Sequence, residues 1–289
     1  MKRFLPFVFL LLFILLSPLF AQSSVWKVSK GGETLYIGGT IHVLRPDDFP
    51  LPAEFDHAYE RSDTLVFETD LDGTHSDAFG SALASRMFLP AGETLFSALS
   101  PSVSHSLQRY LASTGYDVGT FGRLRPWAAV LMLTQSALAR NGIDQHGVDE
   151  HYSRRAAAEG KERRYLETPL EQIELITRIG EGEGDAVILQ TLRELETIPH
   201  MVGWLVRDWR EGRTEQMERE LVEAMREESP GMYRDILENR NRGWIPKLVA
   251  MMREGKRGFV LVGAMHLVGR NGLLALFREQ GYRVIPVNE

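Results

Sequence analysis

Short apolar runs bounded by turn residues, with longer helical stretches between them, set the expected layout of this chain. Phe259 to Val262 is an unbroken apolar run of strand length, the pattern of a strand buried on both faces. Thr34-Leu-Tyr-Ile-Gly38 and Thr64-Leu-Val-Phe67 read the same way, and Arg163-Arg-Tyr-Leu166 is a fourth strand candidate. Val25-Trp-Lys-Val28 alternates apolar and polar positions. With the Gly31-Gly32 turn and Thr34 to Gly38 it predicts a hairpin. A helix over Asn271 to Glu279 and a strand over Gly281-Tyr-Arg-Val-Ile-Pro286 close the chain.

Helical patterning fills the rest. A helix runs from Pro52 to about Arg61, and the stretch from His75 to Gly142 is helical, with segments at Leu95 to Ser100 and Ser104 to Ala112. Arg125-Pro-Trp127 opens a long apolar helix to Ala139, with proline in its first turn and Trp127 as a core residue. Asp149 reads as a cap or turn residue of a helix to Ala158. Residues 170–254 show no strand pattern. Helical segments are expected at 170–179, 185–196, 198–210, 213–227 and 230–252, the last broken at Gly243 or Pro246.

The first residues change the picture of where the protein works. Met1-Lys-Arg3 precedes the almost wholly apolar Phe4 to Phe20, and Ala21-Gln-Ser-Ser24 follows, the pattern of a secretory signal peptide cleaved after Ala21. The expected protein is exported and periplasmic, with no stable membrane span after cleavage. An uncleaved anchor is the alternative. Residues 22–289 are expected to form a single domain with a helix-rich middle at about 76–254.

There is no cysteine among the 289 residues, so lipidation at the leader, disulfides, thiolate metal ligands and a cysteine nucleophile are all excluded. Stability must come from a core, which the 44% hydrophobic content allows. The net charge of −6 becomes two units more negative without Lys2 and Arg3, which disfavours nucleic acid as a partner. Oligomeric state is not readable from the sequence. No Walker motif, Gly-x-Ser-x-Gly elbow or His-Glu-x-x-His helix occurs.

Candidate chemistry gathers at strand ends. Thr34 to Gly38 runs into Gly39-Thr-Ile-His42, and Phe259 to Val262 into Gly263-Ala-Met-His266. In open α/β sheets ligands bind at the carboxyl edge of the strands. Two readings are open: unrelated core or loop histidines, or two imidazoles brought together, most simply as metal ligands. Glu68 follows the Thr64 to Phe67 strand as a metal ligand or general base, in preference to Asp70, and Glu167 is a further carboxylate after a strand. Arg240 lies before the last strand unit, placed to pair with a carboxylate or substrate.

These pieces together resemble the TraB/PrgY/GumN family, which includes the Tiki metalloproteases. The resemblance is carried by Gly39-Thr-Ile-His42 with its proline-rich loop, Phe67-Glu68, Gly147-Val-Asp149 through Gly160-Lys161 to Leu166-Glu167-Thr168, Arg240-Asn241 with Trp244, and Gly263-Ala-Met-His266 through Gly281-Tyr282. It spans nearly all of the mature chain and is nearest the exported GumN-like branch. It implies an α/β fold, similar in outline to erythromycin esterases and haem-binding ChaN proteins (EreA/ChaN-like), in which two related halves each carry a strand-Gly-x-x-His unit.

It also implies a metal-dependent peptidase site of His42, His266 and Glu68, with manganese or cobalt and a peptide or protein substrate. Arg240 joins as a fourth, oxyanion-stabilising member, with Glu167, Asn241, Gly39 and Gly263 as secondary candidates. The alternative is a non-catalytic envelope protein that binds a peptide, haem or another small ligand.

Overall fold

A computed structural model describes residues 22–288. The leader expected over residues 1–21 lies outside the described residues. Among those described, no helix is long and apolar enough to cross a membrane.

The chain is a mixed α/β protein built on a six-stranded sheet. Strands β1 (Gln22–Lys30) and β2 (Glu33–Thr40) form the expected antiparallel hairpin, turning at Gly31 and Gly32. Strands β4 (Thr64–Phe67), β6 (Glu162–Tyr165), β7 (Gly258–Gly263) and β8 (Arg283–Asn288) complete the sheet in the order β6-β4-β7-β2-β1-β8. The neighbours β6, β4, β7 and β2 are all parallel. Two residues each of β3 (Val43–Leu44) and β5 (Gln145–His146) pair as a separate antiparallel ribbon.

The apolar runs have a physical reason in this order. Helices cover both faces of the parallel part, so adjacent strand residues are all buried. Phe259 packs near Phe55 of helix α1 (Ala53–Glu60) on one face, and Tyr152 joins them. The opposite face at Gly258 meets Met251. Phe259, Val260, Leu261 and Val262 consequently have no solvent exposure. Edge strand β6 instead carries Glu162, Arg163 and Arg164, and charge on an edge discourages pairing with another chain.

Helix α2 (Asp77–Met87) and helix α3 (Pro101–Thr114) precede α4 (Pro126–Arg140), which starts with proline as expected. Next come α5 (Val148–Glu159) and α6 (Pro169–Thr177), the latter opened by a reciprocal Thr168–Glu171 capping box.

Two expected helix breaks do not occur. Helix α7 (Gly184–Arg210) passes through Pro199 without ending. Its buried residues Ile188, Leu195, Ile198, Val202 and Trp209 continue one stripe across the proline, and burying that stripe outweighs the lost hydrogen bond. Helix α8 (Asn239–Arg253) likewise includes Gly243 and Pro246 while burying Asn241, Trp244, Leu248 and Met252. Each of the last helical segments contains a π-helical stretch, Glu218–Glu223 and Arg234–Glu238, the second leading directly into α8. Helix α9 (Leu273–Glu279) begins two residues later than expected.

Candidate functional site

Four adjacent parallel strands each deliver one side chain to the same sheet edge. Glu167 follows β6, Glu68 follows β4, His266 follows β7 and His42 follows β2. Thr40 and Gly263, the last residues of β2 and β7, are register partners. The two Gly-x-x-His units are therefore side by side, although they lie near opposite ends of the chain.

His42 is fixed from behind. Its Nδ1 lies 2.8 Å from Asp149 Oδ2, and Thr40 Oγ1 donates to Asp149 Oδ1 at 2.7 Å. The neighbouring backbone is pinned too, since the Gly147 and Val148 amides donate to the His42 and Ile41 carbonyls at 3.0 and 3.1 Å. A Cβ at Gly147 would fall 2.0 Å from the Ile41 oxygen, so only glycine allows this approach. Asp149 raises the His42 pKa to about 9, against the opposing effect of desolvation. The imidazole remains open on its other side, with 65% of the side chain exposed.

His266 is the buried counterpart. Its Nδ1 lies 2.7 Å from Asn241 Oδ1. Asn241 Nδ2 donates to the carbonyls of His266 and Asn271, which leaves its oxygen as the acceptor and assigns the proton to His266 Nδ1. Nε2 then accepts from Arg240 Nη1 at 3.0 Å. Burial pushes the His266 pKa down to about 3, so the ring is neutral. Trp244 packs against it with ring centroids 4.5 Å apart.

Glu68 Oε1 accepts the Gly263 amide at 2.7 Å, and Oε2 accepts Arg240 Nη2 at 2.6 Å. Burial opposes its ionisation. Arg240, the protonated His42 and the Gly263 amide outweigh that and hold the carboxyl well below the usual range. Arg240 also meets Glu167 with Nε and Nη2, both at 2.8 Å, and donates from Nη1 to the Ile236 carbonyl at 3.2 Å. A guanidinium has five N–H donors, and these contacts engage all five. Glu167 further accepts from Trp244 Nε1 and Gln172 Nε2. Its carboxylate thus holds Arg240, and Arg240 in this arrangement has no N–H free for an oxyanion.

The glycines differ in role. Gly39 is a packing position, since a Cβ there would lie 2.9 Å from Leu267 Cδ1, and its carbonyl accepts from Trp209 Nε1 at 2.6 Å. Gly263 borders the chemistry. A Cβ there would sit 3.3 Å from Glu68 Oε1, 3.4 Å from His42 Nε2 and 3.7 Å from His266 Cδ2. The absence of a side chain leaves a space bordered by all three expected ligands.

In donor chemistry this space suits a divalent cation: two imidazoles with anchored Nδ1 atoms, and an ionised carboxylate. The arrangement is not closed around an ion, however. Among the described residues no group of three or more His, Asp or Glu stands ready to hold a metal, and Arg240 occupies the Nε2 lone pair of His266.

One residue of the site was misread in the sequence. Asp149 is neither a cap nor a turn residue; Gly147 is the N-cap of α5, and Asp149 is buried in its first turn, facing Thr40 and His42. An acid in the first turn of a helix is common enough to need no contact to explain it, so nothing in its spacing marked this one. Thr40, the last residue of β2, was likewise unmarked, because nothing local to a strand-end threonine shows which side chain it meets.

The TraB/PrgY/gumN family model matches residues 24–286. The uncharacterized protein YbaP of Escherichia coli is 24% identical, over 86% of this chain and 89% of that protein. The Metalloprotease TIKI2 of Xenopus tropicalis is 23% identical, over 91% of this chain but 59% of its own length. No solved structure matches the chain.

Proposed function

The chain belongs to the TraB/PrgY/gumN family, and from that premise we propose that it is a metal-dependent hydrolase acting on peptide or protein substrates. One observation carries the reading: His42, Glu68 and the neutral His266 border one open space at the ends of three adjacent strands. A 23% identical relative named as a metalloprotease supports it. So does the equivalent position of the two strand-Gly-x-x-His units, which we read as the two halves of an EreA/ChaN-like layout. On its leader pattern the protein works in the periplasm.

In this reading His42, Glu68 and His266 hold a divalent cation, manganese or cobalt. When bound it supplies Lewis-acid activation of water and of the scissile carbonyl. The residues themselves do the following. Asp149 keeps the His42 proton on Nδ1, so that loss of the second proton exposes the Nε2 lone pair. Asn241 does the same for His266. Glu68, ionised across the neutral range, is a ligand or proton acceptor. Glu167 orients Arg240, whose positive charge offsets the two buried carboxylates.

Elemental analysis of protein purified without chelator tests this, beside His42→Ala and His266→Ala. Near-stoichiometric metal that is lost in both variants, with cleavage of a peptide library by the wild type, is the expected result. No metal after reconstitution with manganese or cobalt would overturn the reading.

A second reading, a non-catalytic binding protein for a peptide, haem or another small ligand, is favoured by one feature. His42 is exposed while Glu68, Arg240, Glu167 and His266 are closed over. A Soret band on haem addition, lost in His42→Ala, would support it.

A further inference from the structure

Arg240 stands in the way of the site it completes. Two of its contacts, to Glu68 Oε2 and His266 Nε2, are with groups proposed above as cation ligands. A neutral imidazole has one lone pair on its acceptor nitrogen, so His266 Nε2 serves Arg240 or a metal ion, never both. Like charges at contact distance in a poorly solvated pocket also repel strongly, and the side chains of Arg240 and Glu68 are each only 11% exposed. The remaining Arg240 contacts, to Glu167 and the Ile236 carbonyl, involve neither ligand.

We propose that Arg240 is an internal cation that closes the site while it is empty, and that a divalent cation binds by displacing it from Glu68 and His266 onto Glu167 alone. The inference rests on the metal-site reading of the proposed function.

Two structural features suit the movement. Glu167 is a fixed receiver, because Trp244 Nε1 and Gln172 Nε2 hold it at 2.9 and 3.2 Å. Its two hydrogen bonds, to Nε and Nη2, keep the guanidinium's counter-charge when the contacts to Glu68 and His266 are given up. The π-helical stretch Arg234–Glu238 lies immediately before Arg240 and supplies the Ile236 carbonyl that Nη1 contacts. Such stretches are local irregularities in the helical ladder, frequent at functional sites. The buried Glu68 and Glu167 carboxylates need a positive partner at all times. A guanidinium supplies it before the metal arrives and stays with Glu167 afterwards.

Trp244 reports the change directly, because its ring lies 4.6 Å from Arg240 Cζ and 4.5 Å from the His266 ring. The test combines calorimetric titration with Mn²⁺ and tryptophan emission during titration with Zn²⁺, which does not quench by itself. Trp244→Phe identifies the signal. The comparison variant is Arg240→Gln with Glu167→Gln, which removes the guanidinium together with its dedicated carboxylate, and Glu68→Ala is the ligand control. We expect the double variant to bind Mn²⁺ at least tenfold more tightly than wild type through Glu68. Trp244 emission should shift on Zn²⁺ binding to wild type.

Binding by the double variant alone would overturn the displacement, because it would leave Arg240 on Glu68 and His266 in the wild type. Unchanged affinity with unmoved Trp244 emission in a wild type that does bind would overturn it while leaving the proposed function intact. Should the double variant not fold, the wild-type emission decides. Absence of cation binding in both proteins would overturn this inference and the metal reading together. Displacement of Arg240 without any peptide cleavage would overturn the hydrolase reading alone.

Discussion

His42 Nδ1 lies 2.8 Å from Asp149 Oδ2, a carboxylate from the first turn of a helix that starts 106 residues after His42, and Thr40 holds the other oxygen of the same carboxylate. The one exposed imidazole of the site is therefore aimed by a buried acid on a different element.

Replacing that acid tests the aim. Asp149→Asn should lower the His42 pKa from about 9 towards 6.5, read by NMR titration of the imidazole. Measured above pH 9, where proton competition at His42 no longer differs, cation affinity should fall by about 10–100-fold, the usual cost of losing a ligand's outer partner. An unchanged His42 titration would mean that Asp149 does not govern it.

Cation affinity should depend on pH through His42. Below about 9 a cation must displace the proton on Nε2, so affinity should rise about tenfold per pH unit up to that point and level off above it. The stability effect runs the other way. A folded pKa above the unfolded 6.5 stabilises the protein fully below pH 6.5, and this contribution is lost as pH rises through about 9. Melting temperatures of wild type and His42→Asn should converge across that window. Parallel curves would remove His42 from the account.

Acid should destabilise the fold through His266. Its folded pKa of about 3 lies below the unfolded 6.5, so the unfolded chain binds a proton that the native one refuses, and stability falls as pH drops from 6.5 towards 3. Glu68 adds a loss in the same direction below its ordinary 4.5, because its folded pKa is depressed. Between pH 6.5 and 4.5, His266→Gln should show a shallower decline in melting temperature than wild type. The same slope in both would show that burial of this imidazole is not the cause.

Filling the space at Gly263 should separate binding from folding. The Gly263 φ of −49° is open to any L-residue, and the added methyl of Gly263→Ala would meet polar atoms at 3.3 and 3.4 Å. We expect a stability loss of about 1 kcal/mol and at least a tenfold loss of cation affinity by calorimetry. Full affinity in the alanine variant would place the bound ion elsewhere.

Breaking the Arg240–Glu167 pair should cost more. Removing one partner of a buried ion pair typically costs about 3–5 kcal/mol, since it strands the other charge. Glu167→Ala leaves Arg240 with Glu68 as its one carboxylate, so a loss of about 3 kcal/mol in chemical denaturation is expected. A loss under about 1 kcal/mol would mean that the pair is screened as at a surface.

Much of this arrangement was legible in the residues. The hairpin, the Thr64 to Phe67 and Phe259 to Val262 strands and the proline-started helix α4 follow from patterning that burial enforces locally. So does the position of His42, His266, Glu68 and Glu167, because each follows a strand, and parallel strands present those ends together. The gap expected between 185–196 and 198–210 and the break expected at Gly243 or Pro246 do not occur, because in each helix a buried apolar stripe continues past them.

By itself the sequence determined which side chains stand at strand ends, that no thiol takes part, and to which family the chain belongs. Those properties depend on residue type and on periods of two or 3.6 residues, which a neighbour in the chain can set. Only the tertiary structure decided that the four strands are adjacent, that Asp149 and Asn241 aim the two imidazoles, and that Arg240 engages Glu68, Glu167 and His266 together. These are hydrogen bonds and ion pairs between groups far apart in sequence. Their geometry exists only once the sheet and helices have packed, so no local pattern records them.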